Sequence, residues 1–352
     1  MRTSQHQAVE PSTIGRYGRA LLDLAGSVPG HGLIEVDIRL PFLDLRVRAP
    51  EGPMLDAVRS ALLPSTLDLP SKAVEVIVLH GGRDGVPKPL GWGQGAYVPH
   101  RISAELRAAG LQGSLFHDLR FWQFIDLAAG RGVQLMAAPE AFPPWEPGAP
   151  LRAFLHWAYA DRGFRLTHAG TLGHNGRGVL LAGSGGSGKS GTVLAGLLNG
   201  LKSVGDDYVL LEADRGGVRA FPVFSTLKQD PAGFGRLGLA SRIGPRPLNW
   251  QGKHQFGIRE LAADGVAEDL DIVAIFLPRI GSGSTRITPA SPREALLALA
   301  PSALYQMPGE RESGFRFFSG VVNSLPAYHL GLGTDPAEIA GAISAFIEAG
   351  AP

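Results

Sequence analysis

The sequence of 352 residues contains no cysteine. This absence excludes disulfide bonds, thiolate zinc sites and cysteine nucleophiles, and it is typical of a protein from a reducing compartment. Neither sign of charge is in excess, because 33 Lys and Arg residues stand against 32 Asp and Glu residues. The chain therefore lacks the basic surplus that nucleic-acid-binding proteins usually carry, and we expect no nucleic-acid partner.

Long apolar runs are also absent, since no uncharged stretch is long enough to span a bilayer. Near the N-terminus Arg16, Arg19 and Asp23 interrupt every apolar run, so we expect no secretory signal peptide. We therefore expect a cytoplasmic protein with no membrane partner. Apolar residues still make up 44% of the chain, which is enough for a sizeable core.

The length of the chain predicts two domains of unequal size. Residues 1–150 are predicted to form a smaller N-terminal α+β domain of unknown role, because apolar alternation over 33–47 and 73–80 is typical of strands. The segment 138–150 contains five prolines and is expected to be an irregular connection. Strands and helices interleave over 151–352, which predicts a larger α/β domain.

The most specific motif lies in this second domain. The run Gly183-Ser-Gly-Gly-Ser-Gly-Lys189-Ser190 has the spacing of a Walker A phosphate-binding loop, or P-loop. An apolar stretch over 178–182 predicts a strand before it, and a helix is predicted to begin at Lys189. Glycines in such a loop let backbone N–H groups point at phosphate oxygens, and the helix N-terminus adds the positive end of its dipole.

This context predicts that the loop binds a nucleoside triphosphate, ATP together with Mg²⁺. Lys189 is expected to reach the β- and γ-phosphates, and the Ser190 hydroxyl is expected to bind the metal. The predicted nucleotide-binding residues are Gly183, Ser184, Gly185, Gly186, Ser187, Gly188, Lys189, Ser190 and Gly191.

A pair of carboxylates, Asp206 and Asp207, follows the predicted helix and precedes the apolar stretch 208–211. In an ordinary Walker B motif the apolar run comes first and a single Asp ends it, so the order here is reversed. Two adjacent carboxylates near a nucleotide could divide the work. One would hold the metal and the other would accept a proton from an attacking hydroxyl. The alternative is a solvated turn before a strand.

Phosphoryl transfer needs positive charge beyond the loop lysine. Lys228 is the first candidate for this charge, with Lys253 and Arg259 behind it. The alternative for each of them is a solvated surface charge.

Several of these residues together resemble a known family. They are His168, the stretch 178–182, the loop through Ser190, and the run Gly205-Asp206-Asp207-Tyr208-Val209. They resemble the core of HPr kinase/phosphorylase and its serine-kinase relatives. In that family a His precedes the P-loop strand, and a Gly-x₄-Ala-Asp-Asp-x-Val run follows the P-loop helix. Gly205 stands here where Ala is usual, and the match spans 168–211.

The wider chain resembles a bacterial subgroup of such kinase-like proteins, through segments at 145–152, 224–228 and 301–306. The resemblance implies a P-loop NTPase domain of the phosphoenolpyruvate-carboxykinase type and phosphorylation of a serine hydroxyl. It further implies that Asp206 is the general base, that Asp207 lies on the metal side, and that His168 lies near the phosphates.

The second signature of the family, Glu-Ile-Arg-Gly-x-Gly, is absent, and Gly257-Ile-Arg-Glu260 matches it only weakly. In the bifunctional enzymes that segment serves the phosphorolysis reaction. We therefore expect neither phosphorylase activity nor HPr as the acceptor. Some relatives phosphorylate the C-terminal residue of ribosomal, lasso-type peptides, so a peptide remains a possible acceptor.

The sequence thus predicts an ATP-dependent kinase that transfers the γ-phosphoryl group to a hydroxyl, preferably a serine of a peptide or protein. A kinase of a small hydroxylated metabolite and a non-catalytic nucleotide-binding regulator remain open alternatives. The second carboxylate favours an enzyme, because binding alone does not need it. The acceptor, the nucleotide base, a homo-oligomeric state and the role of the N-terminal domain are left open.

Overall fold

The computed structural model describes residues 11–27, 32–81, 86, 99–116, 118–281, 283–304 and 311–350. Over these ranges the protein is a mixed α/β structure with sheets of six, eight and two strands. Two compact units divide the chain. One comprises Met1–Arg59 and Leu69–Asp161, and the other comprises Ser60–Asp68 and Arg162–Pro352. Residues 151–161, which follow the boundary expected from the sequence, belong to the first unit.

The first unit contains one mixed sheet in the order β1-β2-β3-β6-β5-β4. Its elements are α1 (Pro11–Ser27), β1 (Ile34–Leu40), β2 (Leu43–Ala49), α2 (Pro53–Ala61), β3 (Lys72–His80), α3 (Pro99–Ala108), β4 (Gln112–Phe116), β5 (Phe121–Asp126), β6 (Arg131–Met136) and α4 (Arg152–Ala160).

Apolar alternation explains the first strands of this unit. In β2 the buried and exposed residues alternate as the sequence predicts, and the strand predicted at 73–80 is present as β3. The core includes Leu21 of α1 and Phe124 of β5. The proline-rich segment 138–150 contains a single 3₁₀ turn, Glu146–Gly148, which agrees with the expectation of irregular structure.

The second unit contains the eight-stranded sheet, in the order β15-β16-β14-β11-β10-β7, with β9 paired to β14 and β8. Its elements are β7 (Arg165–Thr167), β8 (Gly170–His174), β9 (Arg177–Leu181), α5 (Lys189–Leu198), β10 (Val209–Asp214), β11 (Gly217–Phe221), β12 (Thr226–Gln229), α6 (Pro231–Arg236), α7 (Leu239–Ile243), β13 (His254–Gly257), α8 (Ile258–Leu261), β14 (Leu270–Ile280), β15 (Arg286–Ala290), α9 (Pro292–Leu304), α10 (Arg311–Ser324), β16 (Ala327–Leu332) and α11 (Pro336–Ala349).

Three neighbouring strands of this sheet are parallel, because β14 pairs in parallel with both β9 and β16. Their carboxyl ends therefore lie along one edge, which is the usual position of a ligand site in α/β folds. Residues of α5 and α11 pack with one face of β14, and residues of α9 and α10 pack with the other. Burial on both faces explains the continuous apolar run of β14.

A short segment from early in the chain completes the second unit. The backbone N–H of Leu63 donates to the carbonyl of Val223 at 2.9 Å, and that of Ser225 donates to Ala61 at 2.8 Å. The Ser225 hydroxyl donates to the carbonyl of Ser60 at 3.0 Å. Residues 60–68 thus hold the start of β12, the strand that carries Lys228.

None of the helices in the described ranges is long and apolar enough to cross a bilayer.

Candidate functional site

The glycine-rich loop lies between a buried strand and a helix, as the sequence predicts. β9 ends at Leu181 and α5 begins at Lys189. The loop turns through Gly186 and Gly188, whose φ angles of 82° and 107° lie in the left-handed region that favours glycine. At Gly188 a Cβ atom would also approach Leu332 Cδ1 to 2.4 Å, so a larger residue cannot occupy this position without rearrangement.

Lys189 lies inside the curve of this loop and is only 7% exposed. Its Nζ donates to the carbonyl oxygens of Gly183 at 2.6 Å and Ser184 at 3.1 Å. Burial lowers the pKa of Lys189, and the nearby charge of Lys253 lowers it further, while Asp206 and Asp207 act in the opposite direction. The ammonium group is thus held at the loop beside two carboxylates.

Asp206 is buried with no hydrogen bond to either carboxylate oxygen from the described residues, and it is only 2% exposed. Burial raises the pKa of Asp206, and the charge of Asp207 adds to this effect. The nearby Ser190 hydroxyl and the charge of Lys189 partly offset the rise. Because burying a carboxylate without a partner costs free energy, such a group is more typical of a functional site than of a structural one.

Asp207 has the opposite environment, although it is the next residue. Its Oδ1 lies 3.0 Å from His168 Nε2, and its Oδ2 accepts a hydrogen bond from Lys228 Nζ at 2.7 Å. Burial acts to raise the pKa of Asp207, but the hydrogen bond from His168 and the charge of Lys228 outweigh it. The pKa of Asp207 therefore lies well below its ordinary value, and the carboxylate stays ionised.

A tight backbone turn separates the two carboxylates. The N–H of Tyr208 donates to the carbonyl of Asp206 at 2.9 Å, and Asp207 between them has a φ of 73°. A three-residue γ-turn with positive φ at its central residue is rare and strained. Strain of this kind persists only where the surrounding contacts impose it, and it occurs preferentially at functional sites.

Contacts to β8 provide that support. The N–H of Thr171 donates to the carbonyl of Gly205 at 3.1 Å, and the N–H of Val204 donates to Thr171 Oγ1 at 3.0 Å. Ser203 Oγ accepts a hydrogen bond from the N–H of Gly205 at 3.0 Å. These bonds fix the segment 203–205 immediately before the acidic pair.

Two supporting residues were not predicted from the sequence as site residues. The backbone N–H of His168 donates to Ser302 Oγ at 2.9 Å, which anchors the histidine to α9. A Cβ atom on Gly170 would lie 3.1 Å from Asp206 Oδ1, so this glycine leaves room for the carboxylate. No local motif marks Gly170, and the resemblance of the segment 301–306 did not indicate that Ser302 contacts His168, because both residues act only through contacts made by folding.

Of the three candidate cations, two lie at the site. Lys228 binds Asp207 directly, and Lys253 is near enough for its charge to lower the pKa of Lys189. Arg259 is exposed and makes no ion pair with any carboxylate in the described part of the chain. The neighbouring Glu260 accepts a hydrogen bond from the N–H of Gly257 at 2.8 Å and forms an ion pair with Arg246.

The donor set fits Mg²⁺. In the described ranges no cluster of three or more His, Asp or Glu side chains forms a ready-made metal site. Mg²⁺ is usually held by only one or two protein oxygens together with waters and phosphates. The Ser190 hydroxyl and the Asp207 carboxylate, which stays ionised, offer oxygens of this kind.

Comparisons with solved structures give distant similarity. No family model and no curated protein match the chain. A solved structure of the HPr(Ser) kinase/phosphatase from Coxiella burnetii is similar over 48% of this chain and 79% of its own, with 12% sequence identity and a TM-score of 0.27. At this level the similarity defines neither the fold type nor the activity of the chain.

Proposed function

We propose that this protein is an ATP-dependent kinase that transfers the γ-phosphoryl group to a hydroxyl, with a serine of a peptide or protein as the preferred acceptor. The observation that carries the proposal is the position of Asp206. Its unpaired carboxylate is buried beside the Ser190 hydroxyl and the charge of Lys189, at the start of the helix that follows the glycine-rich loop.

In this proposal the fold is that of a P-loop NTPase, and residues 183–191 bind the phosphates. The Lys189 ammonium exchanges its two carbonyl partners in the loop for phosphate oxygens, which carry more negative charge. Ser190 and Asp207 are the proposed metal-side residues. Bound Mg²⁺ would neutralise charge on the phosphates. His168 and Lys228 position the Asp207 carboxylate.

Asp206 is the proposed general base. Its carboxylate accepts the proton of the acceptor hydroxyl while the hydroxyl oxygen forms a bond to the γ-phosphorus, and the bond from that phosphorus to the ADP oxygen breaks. Burial makes this carboxylate more basic than an exposed one, which suits proton acceptance.

The geometry of the site supports a non-catalytic regulator less well than a kinase, and it supports a metabolite kinase as well as a peptide kinase. A non-catalytic nucleotide-binding regulator does not need the unpaired Asp206, which would only destabilise its fold. A kinase of a small hydroxylated metabolite would use the same residues. The binding of the acceptor, rather than the chemistry, distinguishes it from a peptide kinase.

Nucleotide binding is tested by calorimetry with ATP and Mg²⁺. Lys189→Ala should remove detectable binding, because the ammonium group is the loop's own cation. Lys202→Ala is the matched control, since this lysine is exposed and lies outside the loop. Circular dichroism should show both variants folded. Equal affinity of wild type and Lys189→Ala would overturn the proposal.

A further inference from the structure

A strongly basic segment lies next to the proposed active site. Residues 231–259, here called the basic segment, contain no Asp or Glu in a chain that is otherwise balanced in charge. The cations of the basic segment are Arg236, Arg242, Arg246, Lys253 and Arg259.

Most of these cations have no acidic partner among the residues that the structure describes. Arg246 pairs with Glu260, whereas the other four make no ion pair with any carboxylate in the described ranges. Arg236, Arg242 and Arg259 are exposed, and Lys253 is partly exposed. Like charges that are not neutralised locally produce a positive surface potential, which attracts an acidic ligand.

An ordered hairpin turn projects from this segment. The N–H of Asn249 donates to the carbonyl of Lys253 at 2.8 Å, and that of Gly252 donates to Asn249 at 2.9 Å. The side-chain oxygen of Asn249 also accepts hydrogen bonds from the N–H groups of Gln251 at 2.9 Å and Lys253 at 3.1 Å. The turn is therefore fixed by its own backbone and by one asparagine.

The hairpin turn displays two large apolar side chains. Leu248 and Trp250 are each 54% exposed, although the turn around them is well hydrogen-bonded. Tryptophan is enriched at the energetic centres of protein interfaces, because it covers a large area and loses little conformational entropy. A hydrogen-bonded turn that presents an indole, within a segment that carries exposed cations without ion pairs in the described ranges, fits a ligand that is both acidic and apolar.

The turn is connected directly to the proposed catalytic residues. Lys253 carries a charge that reaches Lys189, and β13 places Gln255 opposite Lys228 in β12. Lys228 in turn binds Asp207. Trp250 precedes Gln255 by five residues, which corresponds to a distance of at most about 17 Å along an extended chain.

We propose that Trp250 and the basic segment form the docking surface for the acceptor, and that this acceptor is an acidic peptide segment. An apolar side chain of the peptide packs on Trp250 and Leu248, and its carboxylates face the unpaired arginines. The limit of about 17 Å runs from Trp250 to Gln255, the residue opposite Lys228, so the docking element belongs to the same stretch of chain as the strand pair beside the proposed site. Its role as acceptor rests on the proposed kinase function.

The test uses dye-labelled twelve-residue peptides and fluorescence anisotropy with the full-length protein. The first peptide contains one serine, four glutamates and a leucine five residues from the serine. The second replaces the glutamates by lysines, and the third replaces the leucine by glycine. We expect the first peptide to bind at least tenfold more tightly than the other two, with an affinity that falls as salt rises.

Two protein variants should reduce this binding by tenfold or more. They are Trp250→Ala and the double charge reversal Arg236→Glu with Arg242→Glu. The matched controls are Phe315→Ala, another exposed aromatic residue, and Arg215→Glu, an exposed arginine outside the basic segment, and both should bind as wild type does. Calorimetry should show unchanged ATP affinity for Trp250→Ala. The anisotropy measurements are made without ATP, so a failure of the kinase proposal leaves this test intact.

Three results would overturn the inference. The first is equal binding of the acidic peptide to wild type and Trp250→Ala, or no binding at millimolar peptide. The second is a loss of ATP affinity in Trp250→Ala, which would make the tryptophan a nucleoside contact. The third is tighter binding of a labelled twelve-nucleotide oligothymidine than of the acidic peptide, with the same dependence on Trp250.

Discussion

Lys228 Nζ lies 2.7 Å from Oδ2 of Asp207, whereas the adjacent Asp206 carboxylate has no hydrogen bond from the described residues. The Asp206-Asp207 pair is therefore not two equivalent acids. Asp207 is held ionised by Lys228 and His168, and Asp206 is buried with a raised pKa. This difference supports separate roles, with Asp206 as the group that accepts a proton and Asp207 as a fixed negative charge.

Replacing Asp206 by Asn should separate binding from chemistry. Mg-ATP affinity should stay within a few-fold of wild type, because a general base makes no obligatory contact with the nucleotide. Turnover should fall by roughly 10²-fold or more. The measurements are calorimetry and release of phosphate from γ-labelled ATP, to water or to an acceptor.

The same variant should also be more stable than wild type. Asn replaces a carboxylate whose burial outweighs the stabilising effects of Ser190 and Lys189, and the free energy of unfolding should rise by about 1 kcal/mol. Urea unfolding at neutral pH measures this change. Normal turnover in Asp206→Asn would show that the acidic pair is structural.

Replacing Lys228 by Met should destabilise the second unit. The variant leaves the Asp207 carboxylate without its cation in a strained turn, and we expect a loss of about 1–3 kcal/mol. The control is Lys72→Met, which breaks the more exposed ion pair with Asp161 in the first unit and should cost less than about 1 kcal/mol. Equal effects of the two variants in urea unfolding would contradict a special role for the Lys228–Asp207 pair.

Local sequence signals predicted the elements that carry the site, but not the contacts that complete it. The apolar strand before Gly183 and the helix from Lys189 were predictable, because each depends on residues close in sequence. The same holds for β3 and for the irregular proline-rich segment 138–150.

Contacts between distant parts of the chain could not be predicted in this way. Residues 60–68 pack on the start of β12, and Ser302 anchors His168 across more than a hundred positions. Residues 60–68 carry no motif, and the resemblance of the segment 301–306 does not indicate a contact between Ser302 and His168. The positive φ of Asp207 is likewise invisible in the sequence, because non-glycine residues adopt it only when tertiary contacts impose it.

Glu146 makes the stability of the first unit depend on pH. This carboxyl is 3% exposed and accepts a hydrogen bond from the N–H of Leu151 at 2.7 Å. Burial raises the pKa of Glu146 from 4.5 to about 7, although the Leu151 hydrogen bond and the charge of Arg152 oppose the shift. The folded state therefore binds this proton more tightly than the unfolded state. Stability is greatest below pH 4.5 and falls as the pH rises to about 7.

Over that interval the loss attributable to Glu146 is at most roughly 3 kcal/mol. Glu146→Gln should remove this part of the pH dependence, because its amide stays neutral. Glu140→Gln is the control, since Glu140 is exposed in the same segment and should behave as wild type does. Urea unfolding at several values between pH 4.5 and 7.5 measures the slopes. Parallel slopes for wild type and Glu146→Gln would contradict the prediction.

The last prediction concerns the direction of the reaction. A kinase that also runs phosphorolysis must bind inorganic phosphate where the γ-phosphate leaves, and hold it for attack on phosphoserine. The sequence resemblance aligns Gly257–Glu260 with the segment that serves this task in the bifunctional kinases, and here Glu260 is engaged by Arg246 and by the N–H of Gly257. Because the Glu260 carboxylate already binds the N–H at the start of its own helix and Arg246, it is not available to bind a metal ion that would hold the phosphate. We therefore expect a one-way kinase.

Incubation of the phosphorylated product with phosphate and Mg²⁺ should release no pyrophosphate at any phosphate concentration that the enzyme tolerates. The same preparation must show forward transfer from ATP, and added pyrophosphate must be recovered in the assay. Glu260→Gln should not create the activity, because the segment lacks the second glycine as well as a free carboxylate. Pyrophosphate formed on the timescale of the forward reaction would mean that other residues bind the attacking phosphate. Arg259 would then be the first residue to replace, because it is exposed and makes no ion pair in the described ranges.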